Sequence, residues 1–170
     1  MPLPYKIATL LYCFNRRDQA LLLLRTQDPN RGLWSPCGGK LHVDDGESPH
    51  ACACREAEEE IGLARAEVSV RGELPPVSTF VTGYLIHPFV GLIPAGRRWR
   101  ASPSEVDAVL ELPLGALREG RTRTRMERRG VSFETDAYIV GENLIWGATA
   151  RILDDLFERL SSIGIPLREQ

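Results

Sequence analysis

Carboxylates crowd into one short stretch of this 170-residue chain. Arg55 is followed by Glu56, Glu58, Glu59 and Glu60, and the run closes on Ile61, Gly62 and Leu63. Just upstream stand Gly38-Gly39-Lys40 and Gly46-Glu47-Ser48. Like charges on neighbouring helical turns repel, so this crowding is unfavourable unless a cation offsets it. Mg²⁺ does so: it takes oxygen ligands and binds through a few carboxylates together with substrate phosphates. Mn²⁺ suits the same oxygen-rich site. The plainer reading is a solvated acidic helix face, the usual fate of a charge run. The glycines, the capped helix start and the neighbouring arginine weigh against it.

The segment predicts a helix with both ends marked. Ser48 is a good N-cap and Pro49 fits the first helical position. Gly62 suits a left-handed stop. Ala51, Cys52, Ala53, Cys54 and Ala57 are small and let neighbouring backbone come close. At roughly 100° per residue, Arg55, Glu59, Glu56 and Glu60 fall at about 0°, 40°, 100° and 140° and share a face. Glu58 falls near 300° and faces solvent by the same count. Glu56 and Glu60 stack one turn apart. They are the first choice for direct metal ligands, with Glu59 beside them. Arg55 can hold Glu47 or Glu59 through a forked hydrogen bond.

The pattern resembles the signature of the Nudix hydrolase family: Gly, a spacer, Glu, seven residues, Arg-Glu, two residues, Glu-Glu, one residue, Gly and an aliphatic residue. Glu47, Arg55, Glu56, Glu59, Glu60, Gly62 and Leu63 match it in type and spacing. The spacer between Gly39 and Glu47 encloses seven residues, Lys40 to Gly46, where the family usually has five. Extra loop residues cost little. The resemblance implies an α/β fold, an α/β/α sandwich with a mixed sheet. It also implies a metal-dependent pyrophosphohydrolase acting on a small nucleotide substrate, with Glu47 and Arg55 in the catalytic set and the Gly39 carbonyl in the metal site. Members are often homodimers, a state no stretch of this sequence marks. A non-catalytic nucleotide-binding regulator is the competing class, and the complete Arg-Glu-x-x-Glu-Glu set argues against it.

Hydrolysis of a diphosphate linkage needs an activated water, neutralised phosphate oxygens and a stabilised leaving group. A carboxylate near a bound water is the expected general base. Glu59 is one candidate. Glu105 is another, because the resemblance implies an additional acidic residue ahead of a strand; the alternative is an ordinary loop glutamate. Lys40 follows the glycines and either meets a phosphate or is solvated. Trp34 either stacks on a base or belongs to the core.

Further motifs bear on the substrate. Leu74-Pro75-Pro76-Val77, Val81-Thr82-Gly83-Tyr84, Pro88 to Pro94, Glu105 to Val109, Leu112-Pro113-Leu114 and Ile145 to Ala150 resemble, in order, the Nudix branch that hydrolyses coenzyme A. A longer spacer is also common there. The resemblance runs from about Gly38 to about Leu160. That branch carries a further motif before the glycines, of which Arg25 matches but the Phe-Pro pair does not; Arg25 is thereby a substrate-binding candidate. Leu33-Trp34-Ser35-Pro36 instead resembles Nudix enzymes acting on nucleoside triphosphates, including oxidised ones. Arg118, Arg121, Arg123, Arg125, Arg128 and Arg129 read as a solvated basic loop, or as a contact for a second phosphate such as the 3′-phosphate of coenzyme A.

The elements that must position these residues alternate along the chain. Strands are expected over 7–14 and 20–25 with a turn at 15–18, then over 67–74, 83–93 and 131–140. Residues 105–112 form a short apolar stretch and 113–118 a short helix. Helical spacing returns over 147–160, through Ile152, Leu153, Leu156, Phe157 and Leu160. The length suits one domain spanning 1–170. A net charge of −2 implies neither a nucleic-acid nor a membrane partner. No run is long enough to span a membrane, and the segment from Met1 to Lys6 lacks a signal-peptide layout, so a cytoplasmic location is expected. Cys13, Cys37, Cys52 and Cys54 form no CxxC pair and read as buried thiols, zinc being the remote alternative. His42, His50 and His87 show no metal-ligand spacing.

Overall fold

The computed structural model of the chain describes residues 4–79 and 82–164. Val81 of the motif above and the first three residues lie outside them. Strands β1 (Lys6–Asn15) and β2 (Gln19–Arg25) form the expected hairpin, with Phe14 opposite Ala20. Asp18 takes a left-handed φ of 55° in the turn, which a short polar side chain tolerates.

Beyond this pair the two strands separate, and a segment of the glycine turn enters the gap. Leu11 N–H donates to the Cys37 carbonyl (2.7 Å), Thr9 N–H to that of Gly39 (2.9 Å), and Leu41 N–H to that of Ile7 (3.0 Å). The catalytic-type turn is thus held as an extra strand along β1. On its other edge β1 pairs in parallel with β6 (Tyr84–Ile93). β2 pairs with the short β3 (Trp34–Ser35) and with β7 (Val106–Pro113). β4 (Ser69–Glu73) and β5 (Val77–Thr79) both pair with β6, completing a mixed seven-stranded sheet.

Both faces of this sheet are covered, because neighbouring strand residues point to opposite sides. Leu11, Cys13, Leu21 and Leu23 meet Ala53, Ala57 and Ile61 of helix α1 (Pro49–Ile61). Tyr12, Ala20 and Leu22 meet Ile152, Leu153 and Leu156 of helix α3 (Ala148–Ser162). The small residues of α1 let it lie close to the sheet. The α/β/α sandwich follows from two helices whose apolar faces cover the two sides of one sheet.

The C-terminal third departs from expectation. After helix α2 (Leu114–Glu119), the arginine-rich stretch is a strand, β8 (Arg121–Arg128), not a loop. It pairs with β9 (Val131–Val140), which pairs with β10 (Asn143–Trp146), giving a second, antiparallel sheet. Arg121, Arg123 and Arg125 are exposed while Thr122, Thr124 and Met126 are half-buried, the period-2 alternation of an edge strand. β5 and β10 were likewise absent from the sequence reading. All four cysteines are buried free thiols. Among the described residues no helix is long and apolar enough to cross a membrane.

Leu153 is 1% exposed and sits where α3 covers the sheet. Leu153→Ala is expected to cost about 2–5 kcal/mol, read as a lower urea midpoint at unchanged slope. Glu158→Ala, on the exposed side of the same helix, is expected to stay within about 0.5 kcal/mol.

Candidate active site

Helix α1 begins and ends as its sequence demands. Ser48 is extended (φ −80°, ψ 153°) and its side chain accepts from Ala51 N–H. Gly62 closes the helix in the left-handed region (φ 70°). The far end is tied down by the following loop: Ser102 N–H donates to the Glu60 carbonyl, Arg100 N–H to that of Ile61, and the Arg97 guanidinium to that of Gly62. These donors satisfy carbonyls that a helix end leaves without partners.

On the exposed side of this helix Arg55 gathers carboxylates. Its Nε and Nη2 grip both oxygens of Glu47 (2.7 and 3.2 Å), and Nη1 lies 2.9 Å from Glu56 and 3.0 Å from Glu59. Nη2 also donates to the Lys40 carbonyl. One guanidinium therefore faces three carboxylates, leaving an excess of two negative charges. Glu58, by contrast, points to solvent as its helical angle requires.

The seven-residue spacer is absorbed by a short 3₁₀ turn over Val43–Asp45 that closes on Gly46 at φ 68°. Glu47 thus still reaches Arg55, and it also accepts from His42 N–H at 2.9 Å. The Arg55 guanidinium, then the His42 N–H, hold the Glu47 carboxyl down at about 2 against the opposing effect of burial. A carboxylate so weakly basic and so fully bonded orients Arg55 rather than taking a proton.

Glu56 is 8% exposed and lies against the glycine turn. A Cβ added at Gly39 would stand only 2.4 Å from its carboxylate, so the turn forms a cradle that only glycine leaves open. Burial pushes the Glu56 carboxyl up, the Arg55 charge opposes this, and Glu59 and Glu105 add to the rise. Glu105, half-buried just ahead of β7, therefore shares the electrostatic field of the helix carboxylates. The Gly39 carbonyl accepts from Thr9 N–H in the ladder along β1.

Glu60 is placed differently from Glu56. It is 2% exposed and forms a buried ion pair with Arg25, and Gly38 N–H donates to its Oε2 at 3.0 Å. Burial pushes its carboxyl up to about 7, with Arg25 and Gly38 pulling the other way. Arg25 also donates to Ser35 Oγ (2.6 Å) and to the Pro36 carbonyl. Its guanidinium, read as substrate-binding, is instead committed to Glu60 and to the turn ahead of the glycines. Trp34, read as a base-stacking candidate, is half-buried against the α3-side core, because β3 hydrogen-bonds to Leu24 at the sheet edge. Lys40 is exposed beside the cluster.

Among the described residues no three acidic, histidine or cysteine side chains stand together as a closed metal cage. The carboxylates face arginines. The donor set still fits a hard divalent ion: hard oxygens, an excess of negative charge and the cradle at Gly39. Glu56 and Glu59 are the residues that would hold it; Glu60, expected beside them, is turned to Arg25 and Gly38 N–H instead. Sequence reasoning missed the Arg25–Glu60–Gly38 clamp, whose partners are far apart in the chain. The lone arginine at the end of an apolar strand was its one visible signal.

A family model described as the NUDIX domain matches residues 4–130. The "Uncharacterized Nudix hydrolase NudL" of Escherichia coli strain K12 is 40% identical over 160 residues, covering 91% of this chain and 82% of its own length. The NUDIX domain of Shewanella oneidensis NrtR, solved with ADP ribose, superposes with a TM-score of 0.63 at 14% identity, over 94% of this chain and 90% of its own. A bifunctional NMN adenylyltransferase/ADP ribose pyrophosphatase from Francisella tularensis, solved with AMP and a Mn ion, gives 0.67 at 17% identity, over 94% of this chain and 43% of its own.

Two outcomes test this geometry. Gly39→Ala pushes only the end of the Glu56 side chain, so turnover is expected to fall at least tenfold while the denaturation midpoint barely moves. Gly38→Ala places its Cβ 2.0 Å from the Thr9 carbonyl oxygen, where backbone must shift; it is expected to lower the midpoint itself. The second outcome concerns acid. A carboxyl held below its unfolded value contributes stability above that value and loses it as pH falls. Wild-type stability should therefore drop between about pH 4.5 and pH 2 through Glu47, and Glu47→Gln should flatten that part of the profile in denaturation measured pH by pH.

Proposed function

Because the chain belongs to the family of Nudix hydrolases, enzymes that hydrolyse diphosphate linkages, we propose that it cleaves a nucleoside diphosphate derivative with Mg²⁺. An adenine-containing compound such as coenzyme A is the preferred substrate. The observation that carries the reading is the cluster of Glu47, Glu56 and Glu59 around Arg55, a built excess of negative charge beside a glycine turn. When bound, the metal ion supplies charge neutralisation on phosphate oxygens and lowers the pKa of a bound water.

The chain's own residues take distinct parts. Arg55 holds Glu56 and Glu59 at fixed positions, and Glu47 holds Arg55. Glu59, with 55% of its side chain exposed, and Glu105 are the candidates to take a proton from water. The Arg25–Glu60 pair fixes the glycine turn against α1. Lys40, exposed at the rim, is the residue available to a phosphate. Divalent ions serve the family, and the Francisella structure named above is complexed with AMP and a Mn ion.

Two likenesses support an adenine nucleotide. The proteins solved with ADP ribose and with AMP share the fold over 94% of this chain. The motifs from Leu74 to Ala150 resemble the coenzyme A branch. Trp34 was the feature favouring a triphosphate substrate, and its place in the core weakens that reading.

The test is product identification by chromatography with Mg²⁺, offering coenzyme A and an oxidised deoxyguanosine triphosphate in parallel. Release of 4′-phosphopantetheine and 3′,5′-ADP is the expected result. Nucleoside monophosphate and pyrophosphate from the triphosphate alone would overturn it. Glu59→Gln is the control for chemistry, expected to lower kcat at least a hundredfold with the fold intact. Glu60→Gln is a poorer one, since it leaves a buried arginine without its charged partner.

A further inference from the structure

One aromatic group belongs to neither core. The alternation along β10 buries Ile145 completely and turns Trp146 to the opposite face of the second sheet. There its ring meets Phe133 of β9, centroids 6.0 Å apart and tilted by 47°. The Arg128 guanidinium lies over the Trp146 ring, 5.7 Å from its centroid. Met126, paired with Phe133 across the β8–β9 ladder, adds an adaptable apolar side chain. All four are half-buried, and none joins the clusters that hold α1 or α3 to the main sheet.

This group is tied to the candidate active site through one loop. Arg128 Nη2 donates to the Pro29 carbonyl. That loop covers residues 26–33, between β2 and β3; just before it Arg25 is paired with Glu60, and at its start Thr26 N–H donates to the Glu105 carbonyl and Gln27 to that of Ser104. The loop therefore joins the backbone around Glu105 at its start to Arg128, the cation over the Trp146 ring, at Pro29. A half-buried aromatic pair with a cation over one ring suits a flat, electron-rich base joined to an anionic diphosphate.

We propose that Phe133 and Trp146, with Arg128 alongside, form the platform on which the adenine base of the substrate stacks while its diphosphate reaches the α1 carboxylates. The proposal rests on the adenine-nucleotide reading of the function. It accounts for Trp146, which lies in the 145–150 motif and outside both core clusters.

Binding without turnover tests it. Calorimetric titrations would compare α,β-methylene ADP with methylene diphosphonate, which carries no base, on the wild type, Trp146→Ala and Trp146→Phe. Trp146→Ala is expected to weaken the nucleotide about tenfold, with the diphosphonate unchanged and Trp146→Phe recovering most of the loss. Unchanged nucleotide affinity in Trp146→Ala overturns the platform, and so does an equal loss for both ligands. Sedimentation showing a wild-type dimer that Trp146→Ala dissociates would assign the face to a second copy of the chain, and also overturns it. If the base-dependent loss is found but coenzyme A is not cleaved, the platform stands and only the reaction assigned above falls.

Discussion

Arg55 is the interaction on which the acidic site depends. Three carboxylates drawn to one arginine repel one another, and among the described residues no other cation pairs with all of them. The bidentate grip on Glu47 uses the planar fork of the guanidinium, so its remaining Nη1 is aimed at Glu56 and Glu59. A lysine would supply the charge without that direction. Because one positive charge answers three negative ones, the arrangement stays electron-rich and favours a further cation. The same contact joins the 3₁₀ turn, the Lys40 carbonyl and α1 into one unit, so loop position and site charge are set together.

The second arginine works in the opposite regime. Arg25 and Glu60 are buried, and removing two charges from water is unfavourable unless geometry and extra hydrogen bonds compensate. Here Gly38 N–H, Ser35 Oγ and the Pro36 carbonyl complete the set. The pair is weak as a source of stability and strong as a fixture. It seats the glycine turn, which lies along β1, onto the helix that carries the acids. Glu56, at the Gly39 cradle, and Glu60, in the clamp, stand one turn apart on α1 and take different parts, one facing the site and one facing the fold.

Local signals were legible in the sequence and long-range ones were not. Ser48, Pro49 and Gly62 bounded α1 correctly because caps act within a few residues. The angular count separated Glu58 from Glu56, Glu59 and Glu60 for the same reason. The hairpin at 15–18 and the helix from 148 were equally local. The second sheet was missed because Arg-Thr-Arg-Thr-Arg reads as a charge run unless its alternation is weighed over its charge; a strand that keeps one face in solvent shows that pattern. The choice for Trp34 between base and core, and the partner of Arg25, depend on Leu24 and Glu60, which no local pattern announces. Pairing of the glycine turn with β1 spans some thirty residues, and no local pattern announces it.

The longer spacer shows how the site tolerates change in the chain around it. Extra residues could have carried Glu47 away from Arg55. Instead they coil as a 3₁₀ turn closed by Gly46, where a left-handed φ is available without a clashing side chain. The turn closes through Asp45 and Gly46 N–H groups onto the carbonyls of His42 and Val43, and His42 exchanges hydrogen bonds with Glu47. What must be kept is the endpoint: Glu47 with its carboxylate at Arg55 and its chain leading into the Ser48 cap. Since the cap fixes α1, α1 fixes Arg55, and Leu41 is seated on Ile7, the stretch is held at both ends and the 3₁₀ turn takes up the length between them.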